Sequence, residues 1–88
     1  MLTVLIDGLA IEVEGLVCEP MPSSGGNVDV RFYAAAMVGL PQGQGVMLAF
    51  DIGGTLYHGL FRLSGFTIRP GRCDYEFSSV GPVIPMPP

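Results

Sequence analysis

Hydrophobic and polar residues alternate one for one along several segments of this chain. Residues 11 to 14, for example, read Ile-Glu-Val-Glu, and a similar alternation runs through residues 28–33 and 72–77. Successive side chains of a β-strand point to opposite faces of the sheet, so this pattern predicts strands with one buried and one solvated face.

Three pairs of turn-forming residues divide these segments into hairpins. Asp7-Gly8 and Gly53-Gly54 are typical two-residue hairpin turns, and Pro70-Gly71 fits the central positions of a type II turn. The residues around the turns predict strands over 2–6, 9–19, 28–33, 46–52, 55–68 and 72–77.

Three segments are harder to interpret. Residues 19–27, EPMPSSGGN, are a loop by composition. Residues 33–40 fit either a short helix or a continuing strand, because so short an apolar run has no decisive period. Residues 55–68 would span roughly 46 Å if straight, so we expect this strand to bend at Gly59 and Gly65 or to project beyond the body.

Together these elements predict an all-β fold of about six antiparallel strands with little or no helix. The expected architecture is a small sandwich or a partly open barrel. The 13 glycines and 8 prolines are then accounted for by turns. We expect residues 1–81 to form a single β domain and residues 82–88 to form a proline-rich C-terminal tail.

The composition is too apolar for so small a core. Hydrophobic residues make up 49% of the 88 residues and charged residues only 14%, against about 25% in a typical soluble domain. A chain of this size buries only about 60 to 65% of the surface that its unfolded form exposes. The longest charge-free stretch, residues 32–50, is interrupted by PQGQG, which argues against a membrane partner. We therefore expect the excess apolar surface to contact other proteins.

The last eight residues, GPVIPMPP (81–88), also need apolar contacts if they are to be ordered. Ordering these eight residues costs roughly 4 to 8 kcal/mol. Val83, Ile84 and Met86 each return about 1.5 to 3 kcal/mol if they are fully buried. An ordered tail is therefore predicted to lie in an apolar groove of its own domain or of a neighbouring subunit.

The charged residues exclude one class of partner. The net charge is −4, which argues against nucleic-acid binding. All four basic residues are arginines, the cation that protein interfaces favour. Arg62, Arg69 and Arg72 flank the last hairpin near Asp74 and Glu76, so ion pairs across strands or between subunits are expected there.

No catalytic, metal or cofactor motif is present. His58, Cys18 and Cys73 do not have the spacing of a zinc site, and the glycine pairs lack the lysine of a phosphate loop. We therefore predict that the protein is not an enzyme and has no cofactor. The first residues, MLTVLIDG, lack the features of a secretory signal, and both cysteines are predicted to be reduced packing residues.

The segment YHGLFRLSGFTIRPGRCDYEFSSVGPV, residues 57–83, resembles the closing segment of tail-tube and related baseplate or tail-completion proteins of tailed bacteriophages. The resemblance covers about the last third of the chain. It implies a β-sandwich or barrel that assembles into rings through sheet edges and extended loops. The chain is short for a tail-tube subunit and has no convincing bracing helix, so a capsid decoration protein or a neck component is equally open.

These observations lead to a functional hypothesis: a structural subunit of a viral particle, made in the host cytoplasm and resident in the virion. Its partners are other copies of itself and other virion proteins. The expected interface comprises Pro20, Met21, Arg62, Arg69, Arg72, Pro82, Val83, Ile84, Pro85 and Met86. Deletion of residues 82–88 is predicted to weaken assembly and to leave the fold largely intact.

The alternative hypothesis is a small monomeric β module that recognises a peptide or a glycan. Tyr57 and Tyr75 would supply its aromatic contact surface. The mass in solution separates the two hypotheses, because only the structural subunit forms large species.

Overall fold

The computed structural model describes residues 2–20, 26–35 and 45–86. These residues form seven β-strands and no helix. The strands are β1 (Leu2–Ile6), β2 (Leu9–Glu19), β3 (Asp29–Ala34), β4 (Gly45–Ile52), β5 (Thr55–Arg69), β6 (Arg72–Ser79) and β7 (Ile84–Pro85).

The first six strands form a closed antiparallel barrel. Their order around the barrel is β1, β2, β3, β6, β5 and β4, and β4 pairs with β1 to complete the ring. The short β7 is a seventh strand, added beside β5. The predicted all-β architecture is confirmed, and of the two predicted forms the chain adopts the barrel. Closure joins the two sheet edges that a partly open barrel would leave free.

The predicted hairpin turns have the expected backbone geometry. Asp7 and Gly8 have φ of 51° and 86°, and Gly53 and Gly54 have φ of 61° and 89°. Positive φ at both central residues is the mark of a type I′ turn, whose twist matches that of the flanking strands. Gly71 has φ of 77°, as the third position of a type II turn requires.

The longest strand, β5, curves around the barrel. Its 15 residues would span roughly 50 Å if straight, whereas the longest dimension of the molecule is 35 Å. The pairing with β6 shifts register between Leu63 and Gly65, and the Ser64 hydroxyl donates a hydrogen bond to the Glu76 carbonyl there. The predicted irregularity at Gly65 is therefore a β-bulge, whereas Gly59 stays in register opposite Leu48.

The core fills the interior of the barrel with side chains from alternate positions of every long strand. Phe50, Phe61 and Phe77 lie at its centre with no exposed surface. The ring of Phe61 packs edge-on against that of Phe50, with centroids 6.0 Å apart. The barrel is stabilised mainly by this apolar interior, because no polar or charged residue is buried in the described part of the chain.

The shortest seam of the barrel lies between β1 and β4. Only two residue pairs are in register there, Leu5 with Ala49 and Ile6 with Leu48. Asp7 extends the seam through two hydrogen bonds to Met47. Its amide donates to the Met47 carbonyl, and its carboxylate accepts from the Met47 amide, both at 2.8 Å. The turn residue Asp7 thus also helps to close the barrel.

Cys18 and Cys73 are free and buried. The pKa of Cys18 is raised to about 11, chiefly by burial and further by the nearby charge of Asp29.

In the uncertain segment 33–40, β3 ends at Ala34. Residues 36–40 lie outside the described residues, as do 21–25 of the predicted loop.

Candidate interaction surface

The outward positions of β4 and the first half of β5 form matched pairs. Met47 lies opposite Leu60, Ala49 opposite His58, and Asp51 opposite Leu56. From the sequence, residues 46–52 are expected to form a buried strand, because apolar residues occur on both of their faces. In a barrel, however, only one face of each strand points inward, so the second apolar set lies on the outside.

The C-terminal segment adds a third row to this surface. The Val80 amide donates to the Leu60 carbonyl at 2.8 Å, and Ile84 pairs with His58. The Met86 amide donates to the Leu56 carbonyl at 2.7 Å. The residues after β6 therefore continue along β5 on the side that β6 leaves open.

We call this surface the β4–β5–β7 face. It comprises the outward residues Met47, Ala49, Leu56, His58, Leu60, Val80, Ile84 and Met86. Its six large apolar side chains keep between 39% and 54% of their surface exposed. Together they leave roughly 500 Å² of apolar surface in water, near the upper end for a single patch on a monomeric protein.

One tail residue points the opposite way and anchors the segment. Val83 is 4% exposed and belongs to the core. It packs over Gly59, where an added Cβ would lie only 3.3 Å from the Val83 Cγ2 atom. The absence of a side chain at Gly59 thus makes room for Val83, which holds Ile84 and Met86 in place on the outer surface.

Opposite charges lie at the two ends of the β4–β5–β7 face. Asp51 lies beside the Gly53-Gly54 turn, where its carboxylate accepts a hydrogen bond from the Gly54 amide at 3.0 Å. Arg62 is exposed at the other end, opposite Gly45. No ion pair joins Arg62 to any of the described residues.

A second surface, on β2, β3, β6 and the far half of β5, has a different character. The Tyr33 ring packs on Gly15, where an added Cβ would lie 2.5 Å from the Tyr33 Cε1 atom. The Arg72 guanidinium lies over the Tyr33 ring, 4.4 Å from its centre. We call this region the Tyr33 surface.

Asp74 organises the charges of the Tyr33 surface. Arg69 Nε lies 2.7 Å from one carboxylate oxygen of Asp74, and Arg72 Nε lies 3.0 Å from the other. The hydrogen bond from Arg69, aided by the charge of Arg72, lowers the pKa of Asp74. The ion pairs expected at the last hairpin are therefore present within one molecule, where they hold the ends of β5 and β6 in register.

An open groove of about 500 Å³ crosses the Tyr33 surface. Arg31, Tyr33, Phe66, Arg72 and Glu76 are among its lining residues. The groove has a balanced set of charges and an aromatic wall.

The two tyrosines proposed as an aromatic platform do not form one. Tyr75 is 4% exposed and packs against Phe32, Phe66 and Phe77. Tyr57 is half-buried and contacts the Phe50 ring. Neither ring lies flat on the surface, because both point toward the interior.

The predicted interface residues fall into three groups. Ile84 and Met86 lie on the β4–β5–β7 face, with Arg62 at its end and with Pro82 and Pro85 exposed beside them. Arg69 and Arg72 lie on the Tyr33 surface, and Val83 is in the core. Pro20 is exposed at the end of β2, and Met21 lies outside the described residues.

Sequence reasoning missed the central residues of the β4–β5–β7 face. Met47, Leu56, Leu60 and Val80 were not among the predicted interface residues. The signal was present: β4 carries Met47 and Ala49 between the larger apolar residues of its even positions, and a strand of a small barrel can bury only one of these sets.

Searches for chemistry and for relatives add no further site. No group of three or more His, Cys, Asp or Glu side chains is placed to hold a metal ion among residues 2–20, 26–35 and 45–86. The same residues include no helix that could cross a membrane. Comparisons with protein-family models, with curated proteins and with solved structures found no match for this chain.

Proposed function

We propose that this protein is a structural subunit of a viral particle, of the kind built by tailed bacteriophages, and that it works by assembling with other proteins. The observation that carries the proposal is the apolar β4–β5–β7 face, which stays in water after the barrel has closed. The resemblance of residues 57–83 to phage tail proteins is the reason for proposing a phage particle as the assembly. Tail, neck and capsid-decoration positions are all compatible with it.

Assembly is favoured because the face is large relative to the protein. Patches of several hundred Å² on small proteins usually mark interaction sites. The face is also built on regular strands and held by the buried Val83. A partner would therefore meet a surface that is already ordered, which lowers the entropy cost of association.

The closed barrel favours a strand face over strand edges as the surface of contact. The barrel has paired its six strands in a ring. Pro85, in the short β7, has no amide hydrogen to offer a further strand. We propose that assembly uses burial of apolar side chains, with pairing of strand edges in a minor role.

The test is a concentration series followed by light scattering and sedimentation velocity, with electron microscopy of the most concentrated sample. The proposal predicts a mass that rises with concentration and closed or tubular species in the images. A constant mass near 9.3 kDa over the whole series would contradict it.

A monomeric binding module is the second candidate, favoured by the groove of the Tyr33 surface. The groove volume is within the range of small-ligand sites, and its lining combines an aromatic side chain with charged groups. This module would bind a peptide or a glycan through Tyr33 and the charged residues beside it. A constant monomeric mass, together with chemical-shift changes confined to these residues on adding oligosaccharide or peptide pools, would favour it.

A further inference from the structure

We propose that the β4–β5–β7 face docks on the same face of a second copy of this chain, related by a two-fold axis. This inference rests on the proposed function, because it names the partner and geometry of one assembly contact. It is carried by three observations: the size of the face, the arrangement of the charges at its ends, and the proline in its outermost strand.

The size of the face suits a two-fold pair. Its six large apolar residues expose roughly 500 Å² on each copy, so a pair would bury roughly 1,000 Å² in total, the area that a specific interface needs to reach. In a two-fold contact, every favourable feature occurs twice. The total area buried is therefore twice the area that one copy contributes.

The charges at the two ends of the face would pair with the opposite charges of a second copy. Asp51 and Arg62 lie at opposite ends of the face, and the six residues that separate Asp51 from Gly45, the partner of Arg62, place them about 20 Å apart along the strands. A two-fold axis that crosses the strands near His58 reverses the ends. It brings Asp51 of each copy beside Arg62 of the other, so two identical ion pairs flank the apolar centre.

The outermost strand favours contact through the face. Pro85 lies in β7, beyond which no further strand is paired in the described part of the chain. A proline there opposes the addition of a neighbour's strand at the edge. Ile84 and Met86, by contrast, expose 54% and 39% of their surface on the face itself. The two copies therefore stack their sheets and do not extend one sheet into the other.

The first experiment replaces apolar residues of the face. Leu60→Ser and Ile84→Ser should each raise the dissociation constant of the dimer by about 10-fold or more in sedimentation equilibrium, because each removes two buried side chains per dimer. Ile68→Ser is the matched control, since Ile68 is 60% exposed on the far end of the β5–β6 hairpin. Equal dissociation constants for all three variants and the wild type would overturn the proposal.

The second experiment tests the two-fold arrangement with charge reversal. Arg62→Glu and Asp51→Arg should each dimerise poorly alone, since like charges then meet at both ends. An equimolar mixture of the two variants should dimerise about as tightly as the wild type, because each new charge meets its opposite. A mixture that associates no better than either variant alone would overturn the two-fold geometry.

Asp51 also accepts a hydrogen bond within its hairpin, so a second comparison does not depend on changing it. Arg62→Glu should weaken the dimer more than Arg62→Gln, because only glutamate repels Asp51 of the other copy. The difference should shrink at high salt, which screens exposed charges. Identical behaviour of the two variants would contradict the predicted ion pair.

The results distinguish this inference from the proposed function. A wild-type protein that stays monomeric at all concentrations contradicts both. A protein that assembles with unchanged affinity after the Leu60, Ile84 and Arg62 substitutions retains the proposed function and uses another surface. A two-fold contact closes at two copies, so a larger particle would need an additional, different contact.

Discussion

The β4–β5–β7 face and the Tyr33 surface lie on one barrel and treat their outward side chains in opposite ways. On the Tyr33 surface, Arg69 and Arg72 pair with Asp74, and the Tyr33 ring contacts both Arg72 and Gly15. On the β4–β5–β7 face, large apolar side chains point into water. The paired charges of the first surface are satisfied within one molecule, whereas the apolar side chains of the second gain free energy only when a partner covers them.

Folding of the barrel alone does not explain why the outward positions of the β4–β5–β7 face are apolar. The inward positions of β4 and β5 already supply Val46, Leu48, Phe50 and Phe61 to the core. Outward serines or lysines would leave that core unchanged. The apolar residues at the outward positions therefore need another explanation, and contact with a partner provides one.

The largest expected effect follows from removing the anchor of the face. Deletion of residues 82–88 takes Val83 out of the core and removes the pairing of β7 with β5, so it should lower the free energy of unfolding by about 2.5 to 4 kcal/mol, measured by urea denaturation. Because Val83 is a core residue, this result would replace the earlier expectation that the truncated fold stays largely intact.

A shorter truncation separates stability from association. Deletion of residues 84–88 keeps Val83 and removes Ile84 and Met86 from the face. It should cost only about 1 kcal/mol of stability, for the lost pairing with β5, and should weaken association strongly. If both truncations unfold at the same urea concentration, Val83 is not the anchor.

A change in stability with no change in association is expected from Gly15, which supports the Tyr33 surface. Gly15→Ala should destabilise the fold by about 1 to 3 kcal/mol, because Gly15 has φ of 65° and the new Cβ would overlap the Tyr33 ring. Association through the β4–β5–β7 face should be unchanged at temperatures where the variant is folded. Gly26→Ala is the control, since nothing lies within 4 Å of that position. A Gly15→Ala variant that is as stable as the wild type would show that the Tyr33 ring is not tightly packed against Gly15.

The smallest effect concerns acid stability at Asp74. Its pKa is lowered in the fold from the ordinary 3.8, so its charged form stabilises the protein above that pH. This contribution is lost as the pH falls through the lowered value. Asp74→Asn should therefore be slightly less stable than the wild type near neutral pH and should approach it below pH 3.8. A stability difference that stays constant down to the most acidic folded sample would contradict the role of the Arg69 and Arg72 pairs.

Most of the fold could be predicted from the sequence because it depends on local patterns. Alternation along residues 11–14 and the turn pairs at Asp7-Gly8 and Gly53-Gly54 fix strands and hairpins without knowledge of distant contacts. Closure of the barrel could not be predicted in this way. It depends on the short β1–β4 seam and on Asp7 reaching Met47, forty residues away along the chain.

The candidate surface was only partly predictable for a related reason. The tail and Arg62 were selected because prolines and arginines stand out in a sequence. Met47 and Leu60 were missed because an apolar residue in a strand looks the same whether it faces the core or the solvent. Only the pairing of β4 with β5 and the curvature of the barrel show that these two side chains lie together on the outside.

Hydroxyl-radical footprinting of the full chain at low and high protein concentration shows which surface is buried on association, because it reports on both surfaces in one experiment. If the β4–β5–β7 face is the contact, Met47, Met86 and Leu60 become less reactive toward the radical as the protein concentration rises, whereas Tyr33 and Phe66 keep the same reactivity. Unchanged reactivity of Met47 and Met86 in samples that have associated, or protection confined to the Tyr33 surface, would contradict it.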